Sequence, residues 1–236
     1  ADEPEAKNAF FDEARIAARF NHPNIVQIYD LGQQGDNLFI AMEYVHGRDL
    51  KSVIEETKAT HNPLPINMAV TIVANCAAGL SYAHRQCDEE GNPMNVVHRD
   101  VSPQNVLVSS DGHVKLCDFG IVKAENRLQH TKEGNFKGKL SYMSPEQFDS
   151  NKIDHRSDVY SLGVVLYEAT TGEKLYEGDT DMETMALMHS GMYQTPSQVS
   201  SGYPADLEEI VLKAIASDAD ARFQTAEELQ LALEGW

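Results

Sequence analysis

Asp100, Asn105 and Asp118 are the side chains whose types and spacing best suit chemistry in this 236-residue sequence. The first two lie five positions apart in His98-Arg99-Asp100-Val101-Ser102-Pro103-Gln104-Asn105, and the third opens Asp118-Phe119-Gly120, eighteen residues after Asp100. The glycine of the second segment lets the chain turn sharply. Short β-rich runs, Val106-Leu107-Val108 and Val114-Lys115-Leu116, lie between the two segments, so the three oxygens ride on loops at strand ends. Such a set suits Mg²⁺ bound to a polyphosphate, because that ion takes one or two carboxylates plus substrate phosphates rather than a full protein cage.

The surrounding elements must hold these loops. Apolar positions at Phe10, Phe11, Ala14, Ile16, Ala17, Ala18 and Phe20 give a helical pattern over residues 8–20. Asn21-His22-Pro23-Asn24 ends it, since proline and the residue before it disfavour continuation. Runs rich in β formers over 25–31 and 38–45, joined by a Gly- and Asn-containing turn, predict a hairpin. Gly47 marks a boundary, after which the pattern is mainly helical, with helices expected over 49–58, 66–86, 154–171, 180–190, 205–217 and 225–234. Thr225 with Glu228 fits a capping box. The sequence shows no internal repeat, low-complexity tract or flexible linker.

Composition bounds the function. At 42% hydrophobic and 24% charged, the chain has the make-up of an ordinary globular protein long enough to bury a sizeable core. Its formal charge of −18 argues against nucleic acid as a partner, which needs Lys and Arg to neutralise phosphates. A solvated acidic surface is the favoured explanation of that charge, ahead of a preference for basic protein substrates. Cys76, Cys87 and Cys117 form no C-x-x-C pair, which predicts reduced thiols and a cytoplasmic setting. Cys117 adjoins Asp118 and either lines the same site or fills space as a small hydrophobe, the commoner role. No apolar stretch is expected to approach the roughly 20 residues that span a bilayer. The acidic start Ala1-Asp2-Glu3-Pro4-Glu5 is unlike a secretory signal, and the missing initiator Met predicts truncation or processing.

The ordered pair H-R-D-x-x-x-x-N and D-F-G resembles protein kinases. Further landmarks follow in order: Tyr142-Met143-Ser144-Pro145-Glu146-Gln147, Asp158-Val159-Tyr160-Ser161-Leu162-Gly163, and Arg222. Over essentially its whole length the chain is similar to the bacterial eukaryotic-like (Hanks-type) serine/threonine kinases. That resemblance implies an α+β, two-lobed fold, with residues 1–45 a partial small lobe of regulatory helix, two strands and hinge, and residues 46–236 the helical large lobe. It implies ATP and Mg²⁺ as cofactors and an unidentified protein as substrate. Asp100 becomes the base or orienting carboxylate for the acceptor hydroxyl, and Asn105 and Asp118 hold Mg²⁺ against the phosphates. Met42 guards the back of the nucleotide pocket, Glu43 and Val45 offer hinge backbone to the adenine edge, and Leu107 packs beneath it. Periodicity alone would make Leu107 a plain core leucine and Met42 core filler. Glu13 corresponds to the helix glutamate that pairs with a lysine on the third strand. Asp158 resembles the buried acceptor for the catalytic-loop backbone, and Glu146 with Arg222 the ion pair anchoring the activation segment. Arg99 would meet a phosphate on that segment, with Thr131 the first choice of phosphorylated residue and a solvated, unmodified Thr131 the alternative.

Two departures from the family pattern stand out. Ser102 occupies the position where serine/threonine members usually carry Lys, and Lys139, after Gly138, occupies the position of a usual Thr. A reciprocal exchange follows, in which Lys139 supplies the ammonium and Ser102 the hydroxyl; a solvent-facing Lys139 in a weakened enzyme is the alternative. Only twelve residues precede Glu13, with no G-x-G-x-x-G among them, and Lys7 lies too close to serve, because residues 8–20 read as one continuous helix with Glu13 in it. The expectation is that the strands bearing that loop and lysine precede Ala1 in the native protein, and that the chain as it stands binds ATP poorly and turns over slowly.

The function read from the sequence is therefore transfer of the ATP γ-phosphoryl group to protein Ser or Thr hydroxyls. The absence of an H-R-D-L-A-A-R-N loop is the one local support for that acceptor class. A non-catalytic kinase-like binding module is the main rival. A small-molecule kinase of the aminoglycoside or choline type lacks the stretch from Tyr142 to Gln147, and a scaffold without nucleotide would leave the three oxygens a coincidence.

Overall fold

The computed structural model describes residues 16–35, 37–119, 139–148 and 153–236. Glu13, Thr131, Gly120 and Gly138 lie outside them. Of the helix expected over 8–20, the described part is its last turn, residues 16–18, which buries Ala17 and Phe20. Asn24 then fastens the chain, its Nδ2 donating to Asn75 Oδ1 and to the Val114 carbonyl, both at 2.9 Å.

The hairpin forms with shifted limits. β1 (Ile28–Gln34) pairs antiparallel with β2 (Asn37–Met42). Ile25 and Val26, expected to begin the first strand, are buried against another sheet: the Val26 N–H donates to the Leu116 carbonyl at 2.8 Å, and the Leu116 N–H to the Asn24 carbonyl at 2.9 Å. β2 stops at Met42: the Glu43 N–H still bonds the Gln27 carbonyl at 2.8 Å, but the Gln27 N–H goes to the Glu43 carboxylate at 3.2 Å instead of a backbone carbonyl. The second sheet is antiparallel, in the order β3 (Gly47–Asp49), β4 (Val106–Ser109), β5 (Val114–Leu116). The strands β4 and β5 carry the segments with Asp100, Asn105 and Asp118 at their ends.

Helices make up the remainder: α1 (Leu50–Ala59), α2 (Ile66–His84), α3 (Pro145–Phe148), α4 (Arg156–Thr171), α5 (Asp181–Ser190), α6 (Pro196–Val199), α7 (Ala205–Ala214) and α8 (Ala226–Glu234). Side chains cap several of them, as orphan N–H groups at helix starts require. Asp49 accepts the Ser52 N–H at 2.9 Å to start α1. Thr180 and Glu183 exchange reciprocal bonds at 3.2 Å to start α5. At α8 the capping box is only half formed: Thr225 accepts the Glu228 N–H at 3.1 Å, but the Glu228 carboxylate takes the N–H of Gln224, one residue earlier, at 2.8 Å. α7 ends at Ala214 rather than 217: the Ala216 N–H turns to the Lys213 carbonyl, three residues back, at 3.4 Å, and beyond it the Ala216 and Ser217 carbonyls accept from Arg222. α2 stops at His84 rather than 86, where Gln86 enters a tight turn closed by the Met94 N–H at 2.9 Å.

One composition-based expectation fails. α2 is long and apolar enough to cross a membrane by length and mean hydropathy, at 1.4 over its best window. Its apolarity has another cause: it is packed on several sides, against α4, α8 and β5, with 61% of that window buried, so it is a core helix. α4 is buried along nearly its whole length. A Cβ on its Gly163 would lie 2.7 Å from Ala214 Cβ and 2.9 Å from Ile215 Cγ2. We expect Gly163→Ala to force α7 outward and cost about 1–3 kcal/mol, read as a lowered midpoint in urea unfolding. An unchanged midpoint would show that this contact has slack.

Candidate active site

The catalytic segment hangs from a carboxylate. Asp158, wholly buried in the first turn of α4, accepts the backbone N–H of His98 at 2.7 Å and of Arg99 at 2.8 Å. The His84 Nε2–H donates to the same carboxylate at 2.7 Å. Burial pushes the Asp158 pKa up, but these donors outweigh it and hold the group below its ordinary value, so it stays an anion. Arg99 adopts φ +63 and Asp118 φ +57, left-handed conformations that cost non-glycine residues energy and persist only where surroundings impose them.

His98 is buried and neutral, because desolvation lowers its pKa despite the nearby Asp158, Asp100 and Asp118. Its Nε2 faces the Cys117 carbonyl at 3.0 Å, which can only accept, so Nε2 carries the proton and Nδ1 accepts the Asp100 N–H at 3.3 Å. The ring also lies 4.4 Å from Phe119, centroid to centroid, and Phe119 meets Phe20 at 5.2 Å. One imidazole thus spaces the two aspartate-bearing loops. The Cys117 N–H, donating to the Asn105 carbonyl at 3.0 Å, ties them a second time.

Asn105 Nδ2 donates to Asp100 Oδ2 at 2.9 Å and to the Asp100 carbonyl at 2.7 Å, and Lys139 Nζ donates to the same Oδ2 at 2.8 Å. Asp100, Asn105 and Lys139 are therefore in direct contact. Asp118 is exposed and shares their surroundings, since its charge acts with those of Asp100 and Lys139 on Cys117. Burial first, and then Asp118, push the Cys117 thiol up to about 12, so it remains protonated and is no nucleophile. The Oγ of Ser102 is buried and has no hydrogen-bond partner among the described residues.

The residues present fit Mg²⁺. With Nδ2 committed to Asp100, the amide oxygen of Asn105 is left for an ion; that oxygen and the Asp118 carboxylate are the hard donors Mg²⁺ takes alongside phosphate. Met42 is 41% exposed, not core filler, and lines a cavity with Ile28, Cys117, Asp118 and Phe119. Val45 and Leu107 are half-buried. Glu43 carries a side-chain role absent from the sequence reading. Its Oε2 accepts Lys115 Nζ at 2.9 Å and the Gln27 N–H at 3.2 Å. Burial would raise its pKa, but those donors keep it below the ordinary value. The available signal was Lys115 itself, a lysine flanked by two inward-facing apolar residues in a three-residue strand.

A second ion pair fixes the segment after Lys139. Arg222 NH1 and NH2 reach Glu146 Oε1 and Oε2 at 2.8 and 2.9 Å, and Ser157 Oγ adds a bond to Oε1 at 2.6 Å. Burial opposes ionisation of Glu146, yet Arg222 and Ser157 outweigh it and lower the pKa from 4.5 to about 2. A depressed carboxyl pKa contributes stability that is complete above the unfolded value and is lost as pH falls through the folded one. We therefore expect unfolding free energy to decline between pH 4.5 and about 2, with Glu146 contributing about 3 kcal/mol of the loss. In Glu146→Gln the decline should be visibly shallower; an unaltered slope would assign it to other carboxylates. Beside this pair, the Tyr142 hydroxyl donates to Glu168 Oε2, inside α4, and Gln147 Nε2 donates to the Arg99 carbonyl at 3.1 Å.

The fold and this constellation define a protein kinase domain. Residues 1–232 match the protein kinase domain family, and the chain belongs to it. Relatives include Tyrosine-protein kinase MasK of Myxococcus xanthus, 40% identical over 231 residues, covering 98% of this chain and 36% of that protein. Serine/threonine-protein kinase PknB of Mycobacterium leprae is 38% identical, over 98% of this chain and 36% of the relative. For PrkC of Bacillus subtilis the identity is 35%, over 98% and 34%. The chain thus spans about a third of the length of these relatives. Among solved structures, the Mycobacterium tuberculosis PknI kinase domain superposes with a TM-score of 0.75 at 26% identity, covering all of this chain and 80% of the other.

Proposed function

We propose that this chain is the catalytic domain of a protein serine/threonine kinase that moves the γ-phosphoryl group of ATP to a side-chain hydroxyl. The observation that carries the reading is the convergence of Asn105 Nδ2 and Lys139 Nζ on one oxygen of Asp100, on a loop hung from buried Asp158. Asp100 orients the acceptor hydroxyl and takes its proton as the bond to phosphorus forms. Mg²⁺, when bound, would supply positive charge against the charge that develops on the phosphates. Asn105 and Asp118 would hold it. Glu43 and Val45 would present backbone groups to the adenine edge, with Met42 behind and Leu107 beneath; Glu13 would pair with a lysine, and Arg99 would meet phosphorylated Thr131. Glu146 with Arg222 and Asp158 keep the loops in place. Catalysis of this kind is mostly positioning and charge neutralisation. ATP supply and the unpaired cysteines favour a cytoplasmic setting.

A second reading changes the acceptor. The MasK relative is named a tyrosine-protein kinase, and the position two after Asp100 carries a small serine in place of lysine. Phosphoamino-acid analysis of the full-length protein after incubation with γ-labelled Mg·ATP separates the two: phosphoserine and phosphothreonine support the first reading, phosphotyrosine alone replaces it. No label in any residue, in protein that binds Mg·ATP, would return the chain to a non-catalytic binding module.

A further inference from the structure

The carboxylate and the ammonium of this site come from different segments. Lys139 is 39 residues from Asp100 and begins the 3-10 turn Leu140–Tyr142, yet its Nζ lies 2.8 Å from Asp100 Oδ2. The neighbouring catalytic-loop position that faces inward is Ser102, whose buried hydroxyl has no partner among the described residues and no charge to offer. A hydroxyl held by Asp100 must bond to the migrating phosphorus, so a cation touching Asp100 stands beside that group as well. We infer that Lys139 is the phosphate-neutralising cation of the reaction, supplied by the activation-segment side of the cleft, and that Tyr142 with Glu168 is its positioning pair. The inference rests on the phosphoryl-transfer reading above.

The pair has the geometry for that task. Tyr142 and Glu168 are both buried, and their hydrogen bond joins the Lys139 turn to α4, which also carries Asp158. One helix thereby sets the heights of both partners, the aspartate through Asp158 and the lysine through Glu168. Nucleotide affinity does not depend on this arrangement, but the transfer step does.

The test is a relocation in the full-length protein. Lys139→Thr is expected to lower kcat by about 10²–10³-fold, with the KM for ATP changed less than about threefold. Ser102→Lys combined with Lys139→Thr returns the ammonium from the catalytic loop and is expected to restore kcat to within tenfold of wild type, a rescue that a merely structural Lys139 would not allow. Tyr142→Phe should lower kcat in the wild type and leave the relocated variant unaffected, a non-additivity expected of residues acting as one unit. A readout without turnover uses an acyl-phosphate derivative of ATP, which acylates lysines beside the phosphates. Mass spectrometry should find the label on Lys139, blocked by excess Mg·ATP. In the relocated variant it should move to position 102. Near-normal turnover by Lys139→Thr, a folded double variant with no recovery, or an unlabelled Lys139 would each overturn the inference. If instead the wild-type protein binds Mg·ATP but transfers no label from it, the phosphoryl-transfer reading itself fails, and the acyl-phosphate labelling still decides whether Lys139 faces the phosphates.

Discussion

Asp100→Asn in the full-length protein is expected to lose about 10²–10⁴-fold in kcat while still binding Mg·ATP. The amide keeps the size of the carboxylate and can still accept a bond from Asn105 or Lys139, which both reach Asp100 Oδ2. It cannot take the proton from the acceptor, and it removes the anion that balances the Lys139 ammonium. The loss should therefore fall on turnover, with nucleotide affinity held within about threefold and the melting temperature close to wild type. Retention of more than a tenth of the wild-type rate would show that Asp100 is not the acceptor-orienting group. Equal losses in turnover and in Mg·ATP affinity would instead describe a collapsed loop.

Arg222→Ala carries the largest expected effect on stability. The guanidinium is 2% exposed, makes a two-pronged pair with Glu146, and donates to the carbonyls of Ala216, Ser217 and Arg156. It also lies 4.9 Å from the centre of the Tyr160 ring. Truncation leaves a buried carboxylate without its counter-charge and several carbonyls without donors. Breaking a buried pair in that way costs about 3–5 kcal/mol. In a domain of this size that lowers the melting temperature by roughly 10 °C. Arg222→Lys should recover only part of it, since one ammonium cannot serve Glu146 and those carbonyls together. A melting temperature within about 2 °C of wild type would mean that water enters and replaces the lost donors. The joint between the last helices and Glu146 would then carry little of the stability.

The residues of the site were legible because their chemistry is concentrated in short segments. Asp100, Asn105, Asp118, Asp158, Glu146 and Arg222 all belong to runs whose spacing limits what they can do. The helices were legible from apolar period and caps, as at Asp49 and Thr180. What escaped was long-range side-chain traffic. Nothing near Glu43 in sequence points to Lys115, 72 positions away, and nothing near His84 points to Asp158, 74 away. Element ends shifted for the same reason. Ile25 and Val26 left the hairpin because Leu116 offered them a ladder partner. The apolarity of α2 was underestimated because scattered polar residues break it up in sequence, whereas the helix is packed on several sides in the core.

The root of the β1–β2 ribbon is gripped from both edges. Asn24 holds one edge to Asn75 and Val114; Glu43 holds the other to Lys115, and Gln27 crosses between them by exchanging bonds with Glu43. A ribbon pinned at both edges has its root tied to Val114 and Lys115, on the strand that leads into Asp118, so a load on the hairpin is passed directly to that aspartate's loop.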